Sequence, residues 1–131
     1  MAFALGPIGQ IAVSVADVDR SEGFYGGKLG LKKLFRFGTL SFYDCAGVRL
    51  LLDQAQGAVA AQGSPIYFRV ADIALARREL EGRGVEFVNA INLIAPMEDH
   101  DLWMTAFRDP DGHLLELMME APKGYKPNAA G

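Results

Sequence analysis

The chain has 131 residues, half of them apolar, with 13 Lys and Arg against 16 Asp and Glu and a formal charge of −3. That length supports one domain with enough apolar side chains for a core, and the near-neutral balance argues against both long disorder and nucleic-acid binding. One Cys excludes an internal disulfide framework, no apolar run approaches the roughly 20 residues of a membrane helix, and Met1 to Pro7 lack the pattern of a signal peptide, so a cytoplasmic protein away from membranes is expected.

In chain order, residues 10–16 alternate apolar Ile11, Val13 and Val15 with small or polar Gln10, Ala12 and Ser14, which predicts a half-buried strand. Asp17 follows as a helix cap, and Val18, Ser21, Phe24, Tyr25 and Leu29 lie at helical spacing up to a stop at Gly30. Gly23, Gly26 and Gly27 each weaken that helix by up to about 1 kcal/mol relative to Ala. Residues 31–37, 39–45 and 47–53 then read as three strands divided by Gly38 and Gly47. The stretch 55–64 reads as a linker. Beyond it Ile66, Phe68 and Val70 alternate, Asp72 caps, and Ile73, Ala76 and Leu80 form the stripe of a helix ended by Gly84. Strands are expected near 85–90, 101–108 and 113–119, with a loop through 91–100, and the tail from Pro122 is expected to fray unless something docks it.

The two halves repeat each other. Val15-Ala16-Asp17 answers Val70-Ala71-Asp72 at an offset of 55, Leu29-Gly30-Leu31 answers Arg83-Gly84-Val85 at 54, and the run from Asp44 through Gly47 answers that from Asp109 through Gly112 at 65. The ordered matches predict an α+β fold: one domain over 1–131 built from duplicated βαβββ units, the first module about 8–53 and the second about 65–119.

This duplication resembles the vicinal oxygen chelate superfamily, which includes glyoxalases, bleomycin-resistance proteins and extradiol dioxygenases. The residues that carry it are Gln10-Ile-Ala-Val-Ser-Val-Ala-Asp17, the helix with Phe24-Tyr25 and Leu29-Gly30-Leu31, and Phe107-Arg-Asp-Pro-Asp-Gly-His-Leu-Leu-Glu116. The resemblance implies two modules forming a curved mixed sheet around a cup that holds a small-molecule ligand or substrate, and it implies a homodimer. It also implies a divalent metal ion at four equivalent points, which carry over to Gln10, Leu51, Pro65 and Glu116. Gln10 and Glu116 can supply oxygens; Leu51 and Pro65 have no side-chain donor. Two readings follow: a metal-dependent lyase, isomerase or dioxygenase of the glyoxalase type, or a binding protein whose metal site has degenerated.

Strand parity puts Ala12, Ser14, Arg49, Asp53, Tyr67, Arg69, Leu114 and Met118 on the side of Gln10 and Glu116. Arg49 and Arg69 present planar forks suited to an anionic ligand. Pairing of Arg69 with Glu116 and of Arg49 with Asp53 is the other possibility that sequence leaves open. Ser14, Arg49, Tyr67, Arg69 and Trp103 are therefore the candidate ligand contacts, although Trp103, like Phe107, Phe42 and Tyr43, also fits a core position. Glu116 and His100 are the catalytic candidates. His100 sits in a polar turn and is chosen because imidazole titrates near neutral pH; His113 alternates onto the face away from Glu116.

Overall fold

The computed structural model describes residues 3–54 and 63–127, and the chain divides into two compact units, Met1–Ala60 and Ala61–Gly131. The expected linker at 55–64 lies largely outside the described residues.

The first unit contains β1 (Gln10–Val15), α1 (Val18–Glu22), a π-helical segment (Gly23–Lys28), β2 (Lys32–Phe37), β3 (Leu40–Cys45) and β4 (Val48–Gln54). The second contains β5 (Ile66–Arg69), α2 (Ile73–Gly82), β6 (Asn92–Pro96), β7 (Asp101–Arg108) and β8 (Leu114–Ala121). Each unit forms a four-stranded mixed sheet, ordered β1-β4-β3-β2 in one and β5-β8-β7-β6 in the other. The first and last strands of each unit pair in parallel, and the remaining pairs are antiparallel. Ala12 lies opposite Leu51 and Tyr67 opposite Glu116, so the two register pairs are related by the sequence offsets 55 and 65. This is the expected α+β duplication.

The turn from strand to helix has the same geometry in both units. Asp17 (φ −143°, ψ 105°) and Asp72 (φ −141°, ψ 101°) each accept from the third amide of the helix that follows. The first helix has a second acceptor, because Gln54 Oε1 takes the Val18 N–H at 2.9 Å. Gly30 and Gly84 terminate the two helical segments at φ 78° and 88°, a left-handed conformation that costs glycine nothing.

Two expected elements differ from what forms. The first helix was expected to run regularly to Leu29; after Glu22 it widens, and Leu29 N–H reaches Phe24 O at 2.9 Å, an i→i−5 bond. The three glycines make that widening cheap. Gly26 also lies against Tyr43, where an added Cβ would stand 3.1 Å from the ring. In the second unit, the expected strand at 85–90 is replaced by a single bridge between Phe87 and Phe107, and β6 forms later, at Asn92–Pro96. The cause is Asn89. Its Oδ1 accepts from Ala106 N (2.8 Å), filling the position a strand carbonyl would take, while Arg77 Nη1 donates to its backbone oxygen (2.7 Å).

Each sheet buries one face under its helix. In the first unit Val13, Val15, Leu50, Leu52 and Tyr43 are buried with Val18 and Phe24; in the second, Leu115, Leu117, Met119 and Phe107 are buried with Ile73 and Leu80. The tail docks rather than fraying as far as Pro127: Lys123 Nζ lies 2.7 Å from buried Asp101, and the Tyr125 ring meets Trp103 edge-on. The Lys123 hydrogen bond holds the Asp101 carboxyl below its ordinary range. No helix among the described residues is long and apolar enough to cross a membrane.

Loss of an N-cap leaves orphan amides at a helix start. Asp72→Ala is expected to destabilise the chain by about 1 kcal/mol in urea denaturation. Asp17→Ala is expected to have a smaller effect, because Gln54 still satisfies one amide of α1. Equal losses would show that the Gln54 contact is inconsequential.

Candidate functional site

Alternation along each strand sends every second side chain away from the helix, and register aligns these into rows on the open face of the sheet. In the first unit, Glu22 accepts from Ser41 on the helix side, which leaves Leu40, Phe42 and Asp44 on the other. Three rows result: Gln10, Arg49, Asp44 and Lys32; then Ala12, Leu51, Phe42 and Phe35; then Ser14, Asp53, Leu40 and Phe37. The expected candidates Gln10, Ser14 and Arg49 thus share one face, with Leu51 between them.

Arg49 pairs with neither Asp53 nor any other carboxylate among the described residues. Its Nε donates to Gln10 Oε1 at 2.8 Å, and its guanidinium carbon stands 5.5 Å from the centre of the Phe42 ring. The oxygen that would face a metal ion faces a guanidinium instead. Phe42 in turn stacks on Phe35, with centroids 4.4 Å apart and planes 18° from parallel.

In the second unit, Arg77 Nη1 donates to Thr105 Oγ1 (2.8 Å), which fixes the helix side of that sheet. Tyr67, Glu116 and Ala106 form one row on the open face, Arg69, Met118 and Met104 the next, and Glu120 and Leu102 the one after. Tyr67 hydrogen-bonds Glu116, its phenol donating to the carboxylate. The negative charge of Glu116 pushes the phenol above its ordinary range, with partial desolvation and the hydrogen bond adding to the effect.

Arg69 does not pair with Glu116. Its Nε and Nη2 both reach Glu120 Oε1, at 3.0 and 2.9 Å. Glu120 also lies 3.4 Å from His100 Nε2, and His100 Nδ1 lies 2.8 Å from Asp99. The His100 hydrogen bond is the main reason the Asp99 carboxyl is held low. His100 is therefore joined to the Arg69 end of the face, two rows from Glu116. Trp103 stands on the opposite face: it pairs with Met119, shares a side with Thr105 and Phe107, and buries an indole N–H that has no partner among the described residues. Its alternation with Thr105 and Phe107 already carried that signal.

Sequence reading missed Glu120 and the Phe35–Phe42 stack. Glu120 could have been found by extending strand parity four residues beyond Glu116. Phe35 could not. A β-bulge between Lys33 and Phe35 reverses the alternation, so Lys33 faces Glu22 on the helix side while Phe35 faces Phe42 on the other.

Among the described residues no three of His, Cys, Asp or Glu lie together as a metal-holding group. The two expected donors are an amide oxygen already accepting from a guanidinium and a carboxylate already accepting from a phenol. That set fits a resident divalent ion poorly.

Comparison with known proteins gives one family. The model of the Glyoxalase/Bleomycin resistance protein/Dioxygenase superfamily matches residues 7–117. Among solved structures, a lactoylglutathione lyase from Agrobacterium tumefaciens is similar with a TM-score of 0.74 at 20% identity, covering 94% of this chain and 100% of that one. A glyoxalase/bleomycin resistance protein/dioxygenase from Nocardioides gives 0.72 at 22%, covering 99% and 93%. One of the same description from Alicyclobacillus acidocaldarius gives 0.71 at 19%, covering 86% and 90%. At these identities the likeness is one of fold.

The Tyr67–Glu116 contact can be tested by titration. Glu116→Gln removes the charge that raises the phenol, so Tyr67 is expected to ionise nearer the ordinary tyrosine value of about 10. The measurement is the 295 nm absorbance titration, read as the difference between each background and the same background carrying Tyr67→Phe. An unchanged midpoint would show that the two side chains do not interact in solution.

Proposed function

The chain belongs to the Glyoxalase/Bleomycin resistance protein/Dioxygenase superfamily, and from that membership we propose that it binds a small amphipathic or anionic molecule without a resident metal ion. The observation that carries this reading is the hydrogen bond from Arg49 to Gln10. A divalent cation at Gln10 would stand beside a permanent positive charge, and the equivalent positions Leu51 and Pro65 offer no side-chain donor to compensate. An anion meets the opposite situation: the Arg49 fork has terminal nitrogens that no carboxylate among the described residues neutralises. Gln10, Ser14 and Arg49, beside apolar Leu51, are the polar groups proposed to meet a ligand on the open face of the first unit, and Tyr67, Arg69 and Glu116, beside Met118, are those proposed on the open face of the second. His100, held between Asp99 and Glu120, acts on this reading by positioning Arg69 through their shared carboxylate. The proposed compartment is the cytoplasm, in keeping with the single thiol.

The test is thermal melting and metal analysis of the purified protein. In EDTA, octanoate at millimolar concentration is expected to raise the melting temperature of the wild type and not that of Arg49→Gln. After incubation with Mn²⁺, Ni²⁺ or Zn²⁺ and gel filtration, the protein is expected to retain well under one ion per chain. One ion retained per chain, or an octanoate shift that requires the cation, would replace this reading with a metal-dependent one.

We also propose that the protein is a homodimer. Phe3, Leu5 and Ile8 are among its most exposed apolar side chains, and a second copy of the chain would cover them. Light scattering is expected to give twice the 14.2 kDa chain mass, and Leu5→Asp is expected to lower it. A monomer at micromolar concentration would refute the dimer.

A further inference from the structure

The open face of the first unit carries a feature that anion binding alone does not require. Phe37 is 74% exposed and Phe35 49% exposed, on the same face, and Phe35 is stacked on Phe42. Exposed aromatic rings aligned on a sheet are costly in water, and an apolar patch of this kind marks a place where something binds. The occupant is constrained from two sides. The nearly parallel Phe35 and Phe42 rings form a platform on which a further flat ring can lie, whereas a puckered saturated ring cannot match the contact. In the adjoining row Arg49 is held in place by Gln10 and by the Phe42 ring, so its fork is fixed relative to that platform. Asp44, opposite Arg49 in register, uses its Oδ1 to accept from Gly47 N.

The geometry points to a planar aromatic carboxylate as the ligand class: its ring system lies on Phe35 and beside Phe37, and its carboxylate meets the Arg49 terminal nitrogens. This rests on the anionic, metal-free reading above and narrows it. Small aliphatic acids satisfy the charge but leave the rings uncovered. Neutral arenes cover the rings but leave the guanidinium unmatched.

Isothermal titration calorimetry in EDTA with three probes tests the inference: 2-naphthoate, decalin-2-carboxylate, which has the same charge and carbon skeleton without aromaticity, and neutral 2-naphthamide. The wild type is expected to prefer 2-naphthoate to the decalin acid by about fivefold, the scale of an aromatic pair, and to bind the amide more weakly than either acid. Phe35→Leu keeps an apolar side chain at an exposed position; it is expected to abolish the preference for the aromatic acid while leaving affinity for the decalin acid within about twofold. Arg49→Gln is expected to abolish the preference for acid over amide. Equal affinity of the wild type for the two acids, or a preference that survives Phe35→Leu, would overturn the aromatic inference and leave anion binding standing. Failure of both acids to bind would overturn both.

Discussion

In each unit the last strand runs between the first and the third, parallel to the one and antiparallel to the other, and the arrangement of every polar group on the open faces follows from that placement. A parallel partner cannot be reached by a tight turn, so the chain must leave the first strand, cross over the sheet as a helix and return through two antiparallel strands. Asp17 and Asp72 start the crossover and Gly30 and Gly84 end it. With the register fixed, Gln10 has Arg49 beside it and Glu116 has Tyr67. A shift of one residue would send those side chains into the apolar layer under the helix.

The two units keep one scaffold and have diverged in charge. On the first, a guanidinium paired with no carboxylate among the described residues borders a row of aromatic rings. On the second, the carboxylates dominate: Glu116 is engaged by a phenol, and Glu120 gathers Arg69 and His100. The positions that answer one another across the duplication, Leu51 and Glu116, or Gln10 and Pro65, have lost chemical symmetry while keeping geometric symmetry. Superfamily membership therefore fixes the frame and leaves the chemistry to a few side chains.

How much of this could be read from the residues alone depends on how local the determinant is. Caps at Asp17 and Asp72, the left-handed glycines and the faces of β1, β4, β5 and β8 depend on spacing within one segment, and they were legible. The face shared by Gln10 and Arg49 in one sheet, and that shared by Tyr67 and Glu116 in the other, followed from the same parity. What was not legible depends on contacts made at a distance. The widened turn at Gly23–Lys28 answers to the Tyr43 ring, the late start of β6 answers to an Asn89 side chain bound to Ala106, and the partner of Arg69 is decided by which of two carboxylates on one strand lies within reach. Phe35 was hidden for a different reason: an irregularity in the backbone reverses the period on which the reading relied.

That irregularity occurs twice, at Leu34 in β2 and at Ile94 in β6, each in the outermost strand of its own sheet. Besides turning Phe35 outward, a bulge interrupts the regular ladder of donors and acceptors that an edge would otherwise show to a passing strand. A foreign β-segment could align for two or three rungs before its hydrogen bonds fell out of step. The same kink that turns an aromatic ring onto the exposed face of the first sheet thus discourages the open-ended stacking that such surface invites, and so keeps that edge from becoming a template for fibrils.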